Sequence, residues 1–321
     1  MTNQSSLHPA GVEADRIASL FWLYVAACTA VYVLVMAVIL VAVWRRRERQ
    51  QMPSSPDARP AASQERSLTR WVTIATAVTI AILFVLLVGD FRVGQELQAT
   101  PEDDPLVIEI TARQWWWEVR YKATDPGDMV ITANEIHIPV GRTIEFEIKS
   151  PDVIHSFWVP NLQGKRDIIP GYVTKLRLRA EQPGTYWGQC AEFCGQQHAT
   201  MRFAVVVESK EDFDAWYANQ QKPGREPQSE GEKRGQQAFL KSTCINCHTI
   251  GGTPAFGLVG PNLTHLASRL KIASGTLPNQ RGHLGGWVVD PQKIRPGVRM
   301  PVNPVKAEDL PSLLDYLESL K

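Results

Sequence analysis

The feature that most constrains this 321-residue chain is a stretch of 28 residues, from 17 to 44, without a charged side chain. A second apolar run follows at residues 71–89. About 20 helical residues cross the hydrocarbon core of a bilayer, where backbone amides must pair internally because water is absent. The two runs therefore predict two membrane-spanning helices. Trp22, Trp44 and Trp71 lie near their ends, where interfacial aromatic residues are common.

The segment between the two runs predicts their orientation. Residues 45–70 contain seven arginines and three acidic residues, and the positive-inside rule places such a connector in the cytoplasm. Both termini and everything after about residue 90 are then expected on the periplasmic or outer side of a bacterial inner membrane. A cleaved signal peptide is the alternative for the first run, but the run is longer than a signal core and no basic n-region precedes it. Cys28 follows Val-Ala-Ala, as in a lipoprotein cleavage site, but cleavage there would truncate the span, so we interpret it as a small apolar residue.

The sequence pattern changes after residue 100. Short segments rich in β-branched residues occur at 106–110, 136–138, 143–148, 175–179 and 202–207. Regularly spaced short strands predict a β-sandwich. The polar stretch within residues 211–232, clearest from 220 onward, predicts a flexible linker. We therefore expect a multidomain membrane protein with an N-terminal segment and a two-helix transmembrane hairpin in residues 1–100, a β-sandwich at 101–210 and a further domain at 233–321.

Four of the five cysteines form two close-spaced pairs with a histidine or methionine nearby. The first pair lies in C-A-E-F-C-G-Q-Q-H-A-T-M, from Cys190 to Met201, and His155 lies upstream in D-V-I-H-S. Thiolate, imidazole and thioether ligands suit copper, whereas calcium and magnesium prefer oxygen. A structural disulfide, a zinc site and a copper chaperone are alternatives. The additional presence of His198 and Met201 favours the copper interpretation.

The pattern C-x-E-x-C-G-x-x-H-x-x-M with the upstream D-V-x-H-S resembles the binuclear copper A centre of subunit II of haem-copper cytochrome c oxidases. The resemblance implies a cupredoxin domain with two copper ions bridged by two thiolates. The implied ligands are Cys190 and Cys194 as bridges, His155 and Met201 on one copper, and His198 and the carbonyl of Glu192 on the other. It also implies a magnesium ion shared with subunit I at the Glu192 carboxylate. Since protein ligands fill every position, the centre suits electron transfer, and no catalytic residue is expected in this chain.

The sequence Q-W-W-W at residues 114–117 is a second feature of the β-rich region. A tryptophan in a strand is ordinarily a core residue. In the resembling family, however, the first tryptophan of a Q-W-aromatic-W segment is the surface point at which electrons reach copper A. The resemblance implies this role for Trp115. Trp116 stands where that family often has tyrosine and is the second candidate.

The second cysteine pair lies in C-I-N-C-H, from Cys244 to His248, which is the attachment signature of c-type haem. Both thiols, Cys244 and Cys247, can add to haem vinyl groups, and His248 can ligate the iron. A thioredoxin-like motif is the alternative, but it needs a βαβ context and no following histidine. The sequence G-P-N-L at 260–263 and an apolar C-terminal helix at 310–320 resemble all-α class I cytochromes c. Met300, followed by proline, is favoured as the sixth iron ligand over the two competing histidines, His265 and His283.

Charge is distributed unevenly between the two extramembrane regions. Residues 233–321 contain eleven basic and five acidic side chains, a difference of +6, whereas residues 101–210 contain twelve and fifteen, a difference of −3. Opposite charges favour docking of the C-terminal domain on the copper domain. The net charge of +1 for the whole chain predicts no nucleic-acid partner.

The resemblance covers nearly the whole chain and implies subunit II of a bacterial caa3-type oxidase with a fused cytochrome c domain. Such a subunit passes electrons from cytochrome c or another donor through haem c and copper A to haem a of subunit I, where oxygen reduction is coupled to proton translocation. The implied partners are subunit I, other oxidase subunits, the donor and the lipid bilayer. A copper A subunit of a nitric oxide reductase and a membrane-anchored copper chaperone or thiol redox protein are alternatives. Nitrous oxide reductase would need a second, histidine-rich copper site, for which the seven histidines are too few.

Overall fold

The computed structural model describes residues 4–49, 62–98 and 104–321. The two apolar runs lie within long helices, α1 (Val12–Arg49) and α2 (Ala62–Gln98), which extend past both ends of each predicted span. Both helices are long and apolar enough to cross a membrane. Most of their large apolar side chains are exposed, as expected for helices that are surrounded by lipid. The middle of the basic connector, residues 50–61, lies outside the described residues.

Ten strands form the β-sandwich: β1 (Leu106–Arg113), β2 (Trp116–Tyr121), β3 (Val130–Ala133), β4 (Glu135–Pro139), β5 (Thr143–Lys149), β6 (His155–Trp158), β7 (Arg166–Ile168), β8 (Thr174–Arg179), β9 (Gly184–Cys190) and β10 (Arg202–Glu208). They are arranged in two five-stranded sheets, with strand orders β3-β2-β1-β5-β8 and β4-β10-β9-β6-β7. Neighbouring strands are antiparallel except for the β1–β5 and β10–β4 pairs. All five segments predicted as strands are strands, so the predicted sandwich is confirmed.

Three fully buried aromatic rings lie between the sheets, those of Trp117, Phe157 and Phe203. Their centroids are 4.6 to 5.7 Å apart, within the range of favourable aromatic contacts. The ring of His155 lies 6.3 Å from that of Trp117. The predicted copper loop therefore rests on a closely packed aromatic core, which restricts the movement of its ligands.

The segment from residue 4 to residue 15 packs on the β-sandwich. The Ala10 amide donates to the Asn161 carbonyl at 2.7 Å, and the Ala10 carbonyl accepts from the Glu181 amide at 2.8 Å. The buried carboxylate of Glu13 accepts from the Arg179 amide at 3.0 Å. These hydrogen bonds attach the segment before the first predicted span to the sandwich.

The linker prediction for residues 211–232 is wrong in its first part. Residues Lys210–Gln220 form helix α3, which begins with the Ser209 side chain accepting from the Asp212 amide. Phe213 is buried, and its ring lies 6.3 Å from that of Tyr121. Trp216 and Tyr217, three and four positions later, lie on the same helical face and contact Tyr121 as well. Packing of these three rings against Tyr121 outweighs the polar composition of the segment.

The remaining connection, residues 221–229, lies against the C-terminal domain. The Gly224 amide donates to the Gly251 carbonyl at 2.9 Å, and Arg225 donates to the Ser319 carbonyl at 3.3 Å. These contacts fix the connection at two points, so the expectation of a flexible tether is corrected as well.

The C-terminal domain is built around two helices that cross closely, α4 (Glu230–Lys241) and α7 (Leu310–Ser319). A Cβ atom at Gly235 would lie 1.9 Å from the Ser312 carbonyl oxygen, so only glycine allows this approach. The other elements are β11 (Lys271–Ile272), β12 (Leu277–Pro278), α5 (Arg281–Val289) and α6 (Pro291–Ile294). The predicted C-terminal helix is confirmed.

Candidate metal and haem sites

The predicted copper ligands come from two neighbouring strands and the loop between β9 and β10. His155 is the first residue of β6 and Cys190 the last residue of β9, and the register pairs Phe157 with Cys190. This pairing places the histidine next to the cysteine although they are 35 positions apart. The loop then turns through a short 3₁₀ helix, His198–Thr200, before β10 begins.

The two sulfur atoms of the loop form the centre of the site. Sγ of Cys190 and Sγ of Cys194 lie 3.8 Å apart, and both cysteines are free. A disulfide would need about 2.05 Å, so the disulfide alternative does not describe this geometry. Nδ1 of His155 lies 3.8 Å from Sγ of Cys190. The ligand atoms of these three buried residues all lie within 4.8 Å of one another.

The remaining three predicted ligand groups surround the same sulfur pair. Nδ1 of His198 lies 3.7 Å from Sγ of Cys194, and Sδ of Met201 lies 3.8 Å from it. The carbonyl oxygen of Glu192 lies 3.2 Å from Sγ of Cys190. The structure thus brings together all six groups that the sequence predicts.

The electrostatics of the sulfur pair favour a cation between them. The hydrogen bond between the two sulfurs lowers the pKa of Cys190, whereas the same bond and burial raise the pKa of Cys194. Ionisation of both sulfurs needs nearby positive charge. The donor set and its charge fit soft or borderline metal ions such as copper.

Asp152 orients His155 and was not identified from the sequence as part of the site. Oδ1 of Asp152 accepts from Nε2 of His155 at 2.9 Å, which leaves Nδ1 facing the sulfur of Cys190. Burial opposes ionisation of Asp152, but hydrogen bonds from His155 and from the Gln114 and Val153 amides outweigh it and hold its pKa well below the ordinary value. A carboxylate behind a ligating histidine is a common way to fix its ring and its tautomer.

The tryptophan segment touches the site through one backbone carbonyl. Trp115 donates from Nε1 to the Cys194 carbonyl at 2.9 Å, and Gln114 donates from Nε2 to the same oxygen at 2.8 Å. Trp116 is half-buried beneath the Arg113 guanidinium, 5.8 Å from its ring centroid, and Trp117 belongs to the core. Of the two predicted electron-accepting tryptophans, Trp115 is therefore the one bonded to a residue of the copper loop.

The haem-attachment motif forms a tight turn in the C-terminal domain. Cys244 and Cys247 are free thiols, and the His248 amide donates to the Cys244 carbonyl at 3.0 Å. Nδ1 of His248 donates to the Pro261 carbonyl at 2.7 Å, and burial lowers the pKa of His248. The ring is therefore neutral, and its Nε2 has no hydrogen-bond partner among the described residues, as an iron ligand requires. A Cβ at Gly260 would lie 2.6 Å from Cε1 of His248, so glycine is needed beside the ring.

Apolar side chains near the motif are unusually exposed. Phe256 and Leu258 are 72% and 74% exposed, and Val259 follows at 64%. Exposed apolar side chains next to two thiols and a neutral imidazole fit a covalently attached, largely apolar macrocycle.

The structure separates the candidates for the sixth iron ligand. Both ring nitrogens of His265 lie near backbone carbonyls, 2.9 Å from that of Lys321 and 3.1 Å from that of Lys222. His283 is exposed on α5. Met300 is half-buried in the loop between α6 and α7. Because backbone carbonyls occupy both ring nitrogens of His265, this residue is disfavoured as an iron ligand. Met300 is therefore the preferred candidate for the sixth position.

Comparison with known proteins identifies both extramembrane domains. The family described as cytochrome c oxidase subunit II, periplasmic domain, matches residues 122–209, and the cytochrome c family matches residues 232–321. A cytochrome c oxidase subunit 2 from Alkalihalophilus pseudofirmus is 31% identical over 99% of this chain and 91% of its own length. The corresponding subunit from Bacillus subtilis is 30% identical over 77% of this chain and 73% of its own length.

Solved structures are also similar to parts of the chain. The periplasmic domain of subunit II of the cytochrome oxidase of Bradyrhizobium japonicum is 30% identical, with a TM-score of 0.34, over 37% of this chain and 94% of that chain.

Proposed function

Because this chain belongs to the cytochrome c oxidase subunit 2 family, we propose that its copper-loop and CxxCH residues hold a binuclear copper A centre and a haem c that act in series. The chain is a membrane-anchored electron-transfer subunit of a haem-copper oxidase and assembles with other oxidase subunits. When bound, haem c takes single electrons from a donor and copper A delivers them to subunit I. The contribution of this chain is to hold, orient and connect the two groups.

One observation supports the binuclear assignment more than any other. Four further potential ligand groups surround the two cysteine sulfur atoms, which are 3.8 Å apart and not bonded to each other. Cys190, Cys194, His155 and Met201 are all buried, and two of them, His155 and Met201, are completely so. A thiol redox protein would need accessible sulfurs, and a copper chaperone would need to release its metal. Neither use explains six ligand groups of which four belong to buried residues.

The individual roles follow from the chemistry of each donor. We assign Cys190 and Cys194 as bridging thiolates, His155 with Met201 as ligands of one copper, and His198 with the Glu192 carbonyl as ligands of the other. Since every ligand comes from the protein and rests on a packed core, little movement accompanies a change in charge. Cys244 and Cys247 attach the haem, and His248 and Met300 ligate its iron. Trp115 is assigned as the residue where electrons reach copper A, with Trp116 as the alternative.

Three further assignments extend the proposal to the surroundings of the chain. The Glu192 carboxylate, which accepts from the Phe193 amide at 3.2 Å, is assigned to a magnesium ion at the contact with subunit I. The donor is cytochrome c or another small electron carrier. The hairpin lies in the inner membrane of a bacterium, with both soluble domains on the periplasmic side. A copper A subunit of a nitric oxide reductase is the alternative, and the partner subunit that co-purifies distinguishes the two.

The test is spectroscopy of the full-length chain, purified without subunit I from copper-replete cells. We expect two copper ions and one covalent haem per chain, and an electron paramagnetic resonance spectrum of one unpaired electron shared equally by two copper nuclei. A single-copper hyperfine pattern, or a Cys190–Cys194 cystine without copper, would refute the binuclear assignment.

A further inference from the structure

The haem domain contacts the copper domain through the hairpin formed by β11 and β12. At its tip, the Ser274 carbonyl accepts from the Arg202 amide at 3.2 Å, and the Ser274 hydroxyl donates to the Arg202 carbonyl at 3.2 Å. The Leu270 amide donates to Oε2 of Glu135 at 2.8 Å. Arg202 opens β10 directly after the predicted ligand Met201. The hairpin tip is therefore bonded to the backbone beside the copper loop.

The hairpin tip adopts a backbone conformation that is costly for its residues. Ala273 and Ser274 have φ angles of 51° and 54°, in the left-handed region that side chains other than glycine disfavour. Two consecutive residues in this region need compensating contacts. The two bonds between Ser274 and Arg202 are such contacts, and they cross the domain boundary.

A second contact comes from Arg295, which follows α6. This side chain is only 3% exposed. Its Nε donates to the side-chain oxygens of Gln197 and Thr200, both at 3.1 Å, and Nη1 donates to the Ala273 carbonyl at 2.9 Å. Gln197 and Thr200 flank the predicted copper ligand His198. Arg295 thus joins the copper loop and the hairpin tip.

The chemistry of Arg295 indicates a positioning role. Burial lowers its pKa to about 10, so the guanidinium remains charged at neutral pH. The acceptors named above are neutral oxygens, and a buried charge without a carboxylate partner is costly unless several hydrogen bonds are well placed. In an undocked haem domain, the Gln197 and Thr200 acceptors would be lost. The arrangement is therefore favourable only in the docked geometry.

The same loop approaches the copper site at another point. Arg299, next to Met300, donates to Oε1 of Gln114 at 3.0 Å, and Gln114 donates to the Cys194 carbonyl at 2.8 Å. Gln197 also donates to the Pro296 carbonyl at 2.7 Å. When the two domains are docked, two successive hydrogen bonds therefore connect Arg299, which is next to the haem-ligand candidate Met300, with Cys194, a copper-ligand candidate.

We propose that Arg295 is a positioning residue that holds the haem domain on the copper loop in one fixed arrangement, so that electrons pass within the chain without a search by a tethered domain. This rests on the proposed function, because it assumes haem c and copper A at the sites assigned above. It adds a defined intramolecular docking surface, consisting of Gln114, Gln197, Thr200 and Arg202 on the copper domain and Ser274, Arg295 and Arg299 on the haem domain.

The test compares Arg295→Ala with the unchanged full-length chain in two measurements. Hydrogen exchange is measured after copper has been chelated, and we expect exchange of the Arg202 and Leu270 amides to rise about tenfold or more, because both donate across the docking surface. In the loaded chain, we expect haem-to-copper transfer after flash reduction to slow at least tenfold and to become dependent on solvent viscosity. The copper and haem spectra remain unchanged, since Arg295 is not a ligand.

Lys293→Ala is the matched control, because Lys293 lies on α6 two positions away, its side chain is 86% exposed, and it pairs only with Asp290. We expect no change in either measurement. Arg295→Lys, which keeps the charge but loses the forked geometry, should give intermediate values and replaces the alanine variant if that fails to fold. Unchanged exchange and transfer in Arg295→Ala, with both spectra intact, would overturn the positioning role alone. Loss of the copper A or haem c spectrum in the unchanged chain would instead overturn the proposed function.

Discussion

At the scale of single residues, Asp152 decides how His155 presents its ring to the copper loop. We expect Asp152→Asn to lower copper affinity about tenfold to a hundredfold, because an amide supports the required histidine tautomer less well than a carboxylate does. Competition with a copper chelator measures the loss. The folded structure should persist, because asparagine keeps one oxygen for the backbone amides that Asp152 binds.

Asp167→Asn is the control for this prediction, because Asp167 lies on the exposed strand β7 and pairs only loosely with Lys165, at 3.7 Å. Equal copper affinity in the two variants would show that the His155 ring is held by packing alone.

The ligand residues could be predicted from sequence because their chemistry is local. Thiols, an imidazole and a thioether within twelve residues indicate a soft metal, whatever the surrounding fold. Arg295 gave no such signal. Its role depends on contacts with residues nearly 100 positions away in the sequence, and an isolated arginine has no spacing pattern from which such a contact could be deduced.

At the scale of elements, the edge formed by β4 and β10 contains a buried ionisable cluster. His137 lies between the carboxylates of Glu208, at 2.9 Å, and Glu135, at 3.1 Å, and stacks on Trp216 of α3 with centroids 4.2 Å apart. The same Glu135 accepts from the Leu270 amide of the haem domain. Burial favours the neutral imidazole, but the bonds to both carboxylates outweigh it and raise the pKa of His137.

The sign of this shift predicts how stability depends on pH. Since the pKa is higher in the folded state, the stabilisation is fully present below the ordinary value of about 6.5 and is lost as pH rises through the folded value. We expect the unfolding temperature of the copper domain, followed by loss of its copper absorbance, to fall across this interval. In His137→Gln, that part of the pH dependence should disappear. If the unfolding temperature fell equally with pH in His137→Gln and in the unchanged chain, groups other than His137 would cause the pH dependence.

Helix α3 provides a second prediction at this scale. Phe213→Ala should destabilise the copper domain by about 3 kcal/mol or more, since it leaves a cavity beneath three aromatic rings. Asp214→Ala on the exposed face of the same helix should have little effect, because exposed ion pairs contribute little. Thermal unfolding of both variants measures the difference. If Phe213→Ala left the stability of the copper domain unchanged, the segment of α3 would be a linker rather than a packed part of that domain.

The spacing of Phe213, Trp216 and Tyr217 could have identified this helix, because i, i+3 and i+4 positions share a face. Composition obscured it, since eight of the eleven α3 residues are polar or alanine. The strands of the sandwich were easier to predict because their β-branched residues are buried between two sheets. Contacts of residues 4–15 with β8 and its surroundings had no local pattern, since several of them use backbone groups, which carry no residue-specific signal.

At the scale of the whole molecule, the N-terminal segment bears on the membrane topology. Residues 4–15 bond to the same β-sandwich that begins after α2. This attachment agrees with the proposed hairpin of two spans, because an even number of crossings leaves both ends of a hairpin on one side of the membrane. A protease site inserted between residues 50 and 61 should be cut in inside-out vesicles and protected in intact spheroplasts. Cleavage in intact spheroplasts would instead place the connector on the outer side of the membrane and contradict the proposed orientation.

The docking surface also predicts how salt acts on each electron-transfer step. Contacts between the two domains are mostly hydrogen bonds to neutral oxygens, and Arg299 with Asp152, at 3.8 Å, is the inter-domain ion pair of the described residues. Haem-to-copper transfer within the chain should therefore change less than about twofold between low and physiological ionic strength.

The haem domain nevertheless has an excess of six basic side chains over acidic ones, so reduction by an acidic external donor should slow steeply with salt. Flash photolysis gives the rate of haem-to-copper transfer within the chain, and stopped-flow mixing gives the rate of reduction by the external donor. Equal salt dependence of both steps would mean that the domains separate and meet again in each turnover, as a freely tethered carrier would.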